Sequence, residues 1–137
     1  MPVLQVYLDT SQHEEGDLGR FLKKASAAFA HRLSCPEARI RVYMHHTARA
    51  LCSIGGSIDP ETAQAPFFQF YLLAGRPPEQ KIALLHDFTS LLASELGIPA
   101  ELIRGFCTHV PPHDWGIAGI PAAIKREDEV AARQAGK

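Results

Sequence analysis

A proline at position 2, directly behind the initiator methionine, is the residue of this chain with the clearest chemical potential. Methionine ahead of a small residue such as proline is usually removed, and removal would give Pro2 a free secondary amine. An α-amino group titrates at about 7.7–8.0, so this amine would exchange a proton near neutral pH. Pro2 also opens the apolar run 2–8, which predicts a strand that would hold the amine rigidly. Pro2 is therefore a candidate general acid or base.

The chain also carries arginines beside its predicted strands, Arg41, Arg76 and Arg104, and a single tryptophan, Trp115. A guanidinium binds a carboxylate through two parallel hydrogen bonds, and positive charge beside an amine favours the neutral, basic form of that amine. Proton transfer next to a carbonyl needs a base that titrates near neutral pH, together with positive charge that holds the developing enolate. Alternatively, Arg41 and Arg104 pair with helix carboxylates and Trp115 packs at a subunit contact.

The first half of the chain predicts a strand, a helix and a second strand. Residues 2–8 form the first strand and residues 40–44 the second. Between them, residues 17–33 carry apolar side chains at steps of three and four, which is the pattern of an amphipathic helix. Residues 57–65 contain an Asp-Pro pair and few apolar residues, which is typical of a linker.

The same pattern restarts at Pro66. Residues 66–72 repeat residues 2–8, with Pro, Gln, Tyr and Leu in register, and residues 104–107 form a fourth strand. The apolar face of the intervening helix is predicted to contain Ile82, Leu85, Phe88, Leu92 and Leu96. We therefore divide the single domain, 1–137, into repeat 1 (2–56), a linker (57–65), repeat 2 (66–119) and a charged tail (120–137). The tail is expected to be exposed and partly helical.

A tandem β-α-β repeat determines the expected architecture. A helix-long crossover makes the two strands of each repeat parallel, and right-handed crossovers place both helices on one face of the sheet. The predicted fold class is α/β (α+β), with a four-stranded sheet covered by two helices on one face. The strand 67–71 is too apolar for the other face to remain wet, so self-association is expected to cover that face.

Composition argues against several classes of function. With a formal net charge of −1 and no long basic run, nothing favours nucleic acid or a membrane as a partner. No apolar stretch reaches the roughly 18 residues that span a bilayer, and no signal peptide is indicated. The three cysteines are widely spaced, which suits reduced thiols and a cytoplasmic protein. Adjacent His45 and His46 would point to opposite faces of a strand, so no metal site is expected there.

The second repeat resembles the opening of 4-oxalocrotonate tautomerase. The resemblance rests on Pro-Phe-Phe-Gln-Phe-Tyr-Leu-Leu-Ala-Gly-Arg at 66–76, Glu-Gln-Lys at 79–81 and Trp-Gly-Ile-Ala-Gly at 115–119. It covers 2–56 and 66–119 as two copies, so the chain is similar to fused members of the tautomerase superfamily. These include malonate semialdehyde decarboxylase and cis-3-chloroacrylic acid dehalogenase. The resemblance implies a tautomerase/MIF-like fold and a homotrimer that uses no cofactor.

The resemblance also implies roles for individual residues. Pro2 takes the place of the amino-terminal proline that acts as general acid or base. The implied substrate-binding residues are Arg76, Arg104, its first-repeat counterpart Arg41, and Trp115 as an aromatic wall. Pro66 lies inside the chain, so its nitrogen is a non-basic amide, and one working site per chain is expected.

Departures from the relatives favour tautomerisation. The dehalogenases use an acidic residue in the loop where this chain has residues 116–118, and the decarboxylase uses an aspartate where this chain has Arg39. We therefore expect enol–keto isomerisation of a small 2-hydroxy-dienoate or enolpyruvate-type carboxylic acid. One alternative is a decarboxylase or hydratase/dehalogenase of a three-carbon acid such as malonate semialdehyde or 3-chloroacrylate. The other is a trimeric binding or signalling protein with vestigial activity.

Overall fold

The computed structural model describes residues 2–59 and 64–136 of the chain. Its helices and strands, in chain order, are β1 (Val3–Leu8), α1 (Glu15–Leu33), β2 (Arg41–His46), β3 (Phe67–Leu73), α2 (Pro78–Leu96), β4 (Arg104–Val110), β5 (Gly116–Ile117), β6 (Ile120–Pro121), α3 (Ala122–Lys125) and α4 (Glu127–Ala135). Part of the predicted linker, residues 60–63, and Met1 lie outside the described residues.

Both long helices end where the backbone turns left-handed. Ser34 follows α1 with φ 49°, and its N–H donates to the carbonyls of the last turn. Gly97 follows α2 with φ 67°, and Pro78 begins α2, where a missing N–H breaks no helical hydrogen bond. Among the described residues, no helix combines the length and apolarity needed to cross a membrane.

The four long strands form one mixed sheet in the order β2-β1-β3-β4. Each β-α-β repeat supplies a parallel pair, β1 with β2 and β3 with β4. The central pair, β1 and β3, is antiparallel, with Gln5 opposite Gln69. The two repeats are therefore related by an internal twofold through this pair, and Pro2 and Pro66 lie at opposite ends of the sheet.

The hydrophobic core lies between the sheet and the two helices. Alternate residues of the central strands face the helices, which contribute side chains at four-residue steps. The fully buried side chains include Leu4, Val6, Phe68, Phe70, Phe21, Phe29, Leu84, Phe88 and Leu92. Phe88 makes edge-to-face contacts with Phe29, Phe68 and Phe70, with ring centroids 4.8–5.9 Å apart. The predicted architecture, with two helices on one face of a four-stranded sheet, is confirmed.

One predicted core position in α2 is wrong. Ile82 is 62% exposed, whereas Leu84 is fully buried. The buried stripe of α2 runs at steps of four through Leu84, Phe88, Leu92 and Leu96. Ile82 precedes Phe88 by six residues, and at 100° per residue this turns its side chain well away from that stripe.

The sheet face opposite the helices carries a row of aromatic rings, which we call the aromatic band. It crosses all four strands and consists of His45, Tyr7, Phe67 and Phe106. Tyr7 stacks on His45 with ring centroids 4.6 Å apart and on Phe67 at 5.5 Å, and Phe67 lies 5.5 Å from Phe106. Phe106 is 45% exposed, so this face presents aromatic surface that neither long helix covers.

Most residues of the charged tail are exposed, and part of the tail is helical and packs against the domain. Ala122 of α3 is fully buried, and its N–H donates to the Trp115 carbonyl at 2.7 Å. Glu129 and Arg133 of α4 are partly buried, and Glu129 forms a salt bridge with Arg39. The tail therefore covers one end of the sheet, which is the end where Pro2 lies.

Candidate active site

Pro2 is buried at the start of β1, in a pocket that we call the Pro2 pocket. The Pro2 carbonyl accepts a hydrogen bond from the Arg41 N–H at 3.1 Å, which fixes Pro2 against the edge strand β2. The pocket is lined by Pro2, Cys35, Arg39, Leu72, Leu73, Arg76, Arg126, Glu129 and Arg133. Within the described residues, four arginines and one glutamate therefore surround Pro2, and the pocket carries an excess of positive charge.

Arg76 reaches this pocket from the turn after β3. Gly75 precedes it with φ 103°, a conformation that glycine adopts without strain. The Arg76 Nη1 donates to the Leu33 carbonyl and to Gln80 Oε1, both at 3.2 Å. Burial and, after it, the nearby charge of Arg133 together lower the pKa of Arg76 to about 10. The guanidinium remains charged at neutral pH and is held in position.

Helix α4 supplies the acidic residue of the pocket. Arg39 Nη1 donates to both Glu129 carboxylate oxygens, at 2.9 and 3.2 Å. Arg133 Nη2 lies 3.7 Å from Glu129 Oε2. Burial alone would raise the pKa of Glu129, but the Arg39 hydrogen bond and the surrounding arginines lower it overall. Glu129 is therefore ionised, and its charge is balanced mainly by Arg39.

The space beside Pro2 is small and continues into a larger cavity. The Pro2 pocket itself has a volume of about 20 Å³, and a neighbouring cavity of about 340 Å³ shares Cys35, Arg39, Arg76, Glu129 and Arg133 with it. Burial raises the pKa of the Cys35 thiol, so this wall of the pocket is neutral. A small anion in the larger cavity would contact Arg76 and Arg133.

Two of the five predicted site residues lie together in this chain, Pro2 and Arg76. Arg41 touches Pro2 only through its backbone, and its Nη1 donates to the Ala38 and Ile40 carbonyls at 2.9 and 3.0 Å. Trp115 lies between β4 and β5 and does not line the pocket of its own chain.

Arg104 lies at the opposite end of the sheet from Pro2. Its partner in the register is Phe67, and its N–H donates to the Pro66 carbonyl at 3.2 Å. The Arg104 Nη1 donates to the Glu101 and Ile103 carbonyls, at 2.7 and 3.1 Å. Its backbone bond to Pro66 thus repeats the bond between Arg41 and Pro2.

A second pocket of about 100 Å³ surrounds Pro66 and is the counterpart of the Pro2 pocket. It contains Asp9 where the Pro2 pocket has Leu73, and Cys52, the first-repeat counterpart of Trp115. The Pro66 nitrogen belongs to a peptide bond and has no basic lone pair. Unlike Pro2, Pro66 would not gain a free amine through removal of Met1.

Sequence reasoning missed the tail residues of the Pro2 pocket. Arg126, Glu129 and Arg133 lie beyond both repeats, so the repeat alignment assigned them no role. The spacing of Glu129 and Arg133, four residues apart on a helix, is the one signal in the sequence that would place both on one face. Among the described residues, no group of three or more His, Cys, Asp or Glu side chains is arranged to hold a metal ion.

Comparisons with known sequences match less than half of the chain. The family model described as Tautomerase enzyme matches residues 66–123. A 2-hydroxymuconate tautomerase of Comamonas testosteroni is 42% identical over 57 residues, which cover 42% of this chain and 90% of the relative. A probable tautomerase of Ralstonia nicotianae is 37% identical over 62 residues, covering 45% of this chain and 89% of the relative.

Solved structures share the whole fold of the chain. A native fused 4-OT superposes with a TM-score of 0.82 at 26% identity, covering 89% of this chain and 97% of that chain. A fused 4-OT described as a wild-type symmetric trimer has a TM-score of 0.79 at 26% identity, with coverage of 88% and 95%. The macrophage migration inhibitory factor of Toxoplasma gondii shares the fold alone, with a TM-score of 0.71 at 19% identity over 84% of this chain and 95% of that chain. The chain therefore belongs to the tautomerase family of isomerases.

Proposed function

We propose that this protein is a cofactor-free tautomerase that interconverts enol and keto forms of small carboxylic acids. The proposed substrates are 2-hydroxy-dienoates or enolpyruvate-type acids, with Pro2 as general acid and base. The observation that carries the proposal is the burial of Pro2 in a pocket with four arginines in the described part of the chain. The relative from Comamonas testosteroni, named as a 2-hydroxymuconate tautomerase, supports this substrate class.

The proposed mechanism needs only proton movement. After removal of Met1, the Pro2 amine is held beside positive charge, which favours its neutral form at pH 7. The amine takes a proton from the enol substrate and delivers a proton to the carbon that becomes saturated in the keto form. Positive charge in the pocket stabilises the enolate between these steps. Nothing is oxidised or reduced.

Arg76 is proposed to hold the substrate carboxylate, because its guanidinium is partly buried and is held by hydrogen bonds in the same pocket. Arg104, Arg41 and Trp115 do not line the Pro2 pocket of their own chain, so we propose that they act across subunit contacts of a homotrimer. Arg104 and Arg41 are exposed at the ends of edge strands, where a neighbouring chain can approach them. The solved fused 4-OT described as a symmetric trimer supports this assembly.

The properties of Glu129 decide whether the pocket suits the alternative reactions, hydration and dehalogenation. A hydratase or dehalogenase needs a carboxylate that accepts a proton from water, and Glu129 is the acidic residue of the Pro2 pocket. Its pKa is lowered and both of its oxygens accept from Arg39, so it is a weaker base than a free glutamate. Tautomerisation, which requires no water activation, is therefore the reaction that the pocket favours.

Replacement of Pro2 by alanine tests the proposal. We expect Pro2→Ala to lower kcat by about 10²–10⁴-fold with 2-hydroxymuconate, because this is the usual contribution of a general acid or base. Pro66→Ala is the matched control, because Pro66 also begins a central strand and accepts a backbone hydrogen bond from an arginine. Pro66→Ala should retain the wild-type rate.

Two results would contradict the mechanism. Equal rates for Pro2→Ala and wild type would reduce Pro2 to the first residue of a strand. An intact mass that retains the methionine, together with full activity, would show that a free Pro2 amine is not needed. Survival of the biological role in an inactive Pro2 variant would instead favour a binding or signalling protein.

A further inference from the structure

Arg133 carries a buried donor that the described protein does not satisfy. Its Nη1 is the buried side-chain nitrogen without a hydrogen-bond partner among the described residues. A buried donor of a charged group that lacks an acceptor costs free energy, and such groups are rare unless they have a function. The only carboxylate near Arg133 in the described pocket is Glu129, and it lies 3.7 Å from Nη2, beyond hydrogen-bonding distance.

Arg133 also lies close to a second positive charge. Its charge is the second cause, after burial, of the lowered pKa of Arg76. Glu129 does not balance this pair fully, because its two oxygens accept from Arg39. Two partly buried guanidinium groups therefore line the same cavity and repel each other, and the Glu129 carboxylate in that cavity is engaged by Arg39.

The space between these two groups is large enough for an anion. Arg76 and Arg133 both line the cavity of about 340 Å³ that continues from the Pro2 pocket, together with Ser34 and Cys35. A water molecule occupies a share of about 30 Å³ in the liquid, so a carboxylate group fits in this cavity. The Arg133 side chain is 21% exposed and lines this cavity, so an anion here would contact Arg133 and would screen the repulsion between the guanidinium groups.

We propose that Arg133 is a substrate-binding residue and that it holds one substrate carboxylate jointly with Arg76. This inference rests on the proposed function, and it assigns a role to a helix outside both β-α-β repeats. The carboxylate lies between the two guanidinium groups, so α4 selects anionic substrates at the Pro2 site. Substrates without a carboxylate in this position lose both contacts.

Binding of fumarate, a dicarboxylate that cannot tautomerise, tests the inference without any need for activity. Calorimetry should show that wild type binds fumarate and that Arg133→Gln binds it about 10- to 100-fold more weakly, the usual loss for a hydrogen bond to a charged group. Arg133→Lys should recover part of the affinity. Lys125→Gln removes an exposed positive charge from the neighbouring helix α3 and should bind as wild type.

A double-mutant cycle distinguishes a shared carboxylate from two separate effects. If Arg76 and Arg133 hold the same group, the loss in the double Gln variant is smaller than the product of the single losses. Unliganded Arg133→Gln should unfold at a temperature no lower than that of wild type, because a repulsive buried pair is removed. A purely structural role would instead lower the unfolding temperature.

Several outcomes would overturn the inference. They are an absence of fumarate binding by wild type, unchanged affinity in Arg133→Gln, and single losses that multiply in the double variant. In kinetics, the KM of Arg133→Gln for 2-hydroxymuconate should rise. Failure of Pro2→Ala to lose activity would refute the proposed mechanism while leaving the fumarate result to decide the role of Arg133.

Discussion

Asp9 is the one charged residue in the buried core of the described chain, and it is 5% exposed. It follows β1, and its carboxylate accepts from the Ser11 N–H at 3.0 Å, from the Ser11 hydroxyl and from the Arg49 N–H at 3.1 Å. The Ser11 hydroxyl is the main cause of the lowered pKa of Asp9, although burial opposes it. Asp9 thus ties the end of β1 to the segment that follows β2.

We expect Asp9→Ala to lower the free energy of unfolding by about 1–3 kcal/mol at pH 7, because buried N–H donors lose their acceptor. The pKa of Asp9 is lower in the folded than in the unfolded chain, whose value is about 3.9. Its stabilisation is therefore complete above that value and is lost as the pH falls through the folded pKa. Urea unfolding at pH 7 and near pH 3 measures both effects.

The control for this prediction is Glu101→Ala, which removes an exposed carboxylate. Its stability should match that of wild type at both pH values. If Asp9→Ala remains equally far below wild type at the lower pH, the ionised carboxylate is not the source of the stabilisation.

At the scale of residues, the sequence predicted two of the residues that line the Pro2 pocket, Pro2 from the repeat and Arg76 from the resemblance. Arg41 and Arg104, which are counterparts in the two repeats, do not line it. Arg126, Glu129 and Arg133 were not predictable, because their placement depends on how the tail packs on the domain. No periodic pattern in the sequence specifies that packing.

Gly105 shows how closely β4 packs on the neighbouring strand. It lies opposite Phe68 in the parallel pair of β3 and β4. A Cβ added at Gly105 would overlap the ring of Phe68. That ring is almost fully buried and packs edge-to-face on Phe88, so it has little freedom to move aside. The β4 strand therefore requires a residue without a side chain at this point.

We expect Gly105→Ala to lower the free energy of unfolding by about 1–3 kcal/mol, the usual cost of overpacking a core. Gly19→Ala in α1 is the matched control, because a Cβ there has nothing within 4 Å. In the middle of a helix, that change should stabilise the protein by about 0.5–1 kcal/mol. Thermal unfolding compares the two variants, and the same sign for both would refute the packing argument.

Helices and strands were predicted well where the pattern of apolar residues extends over many positions. The helix predicted at 17–33 is observed as α1, Glu15–Leu33, and all four long strands lie close to their predicted positions. The error at Ile82 arose because the apolar residues of α2 allow two adjacent stripes. Packing against the sheet selects the stripe that contains Leu84, and the sequence alone does not reveal where the sheet lies.

At the scale of the whole molecule, the sheet face that carries no helix presents exposed aromatic side chains, Tyr43 and Phe106. The aromatic band crosses this face, and exposed Tyr43 lies on the same face of β2. Exposed aromatic patches of this kind mark interaction sites. The homotrimer proposed above would bury the aromatic band at its centre.

Light scattering after size exclusion should give a mass about three times 15.0 kDa. Phe106→Glu places a charge in the aromatic band and should shift the protein towards monomer. Ile82→Glu changes an exposed apolar residue on α2, far from that face, and should leave the mass unchanged. A stable monomer of wild type at micromolar concentration would contradict the assembly.

The antiparallel pairing of β1 and β3 has an evolutionary consequence. It gives the sheet two poles, with Pro2 at one and Pro66 at the other. Under the proposed function, selection for proton transfer acts only on residues at the Pro2 end of the sheet. Residues at the Pro66 end are constrained only by their packing. Asp9 and Cys52 already make the pocket around Pro66 chemically different from the Pro2 pocket. A duplicated chain of this kind therefore carries a spare pocket in which a new ligand specificity can evolve, or be designed, while the original chemistry is retained.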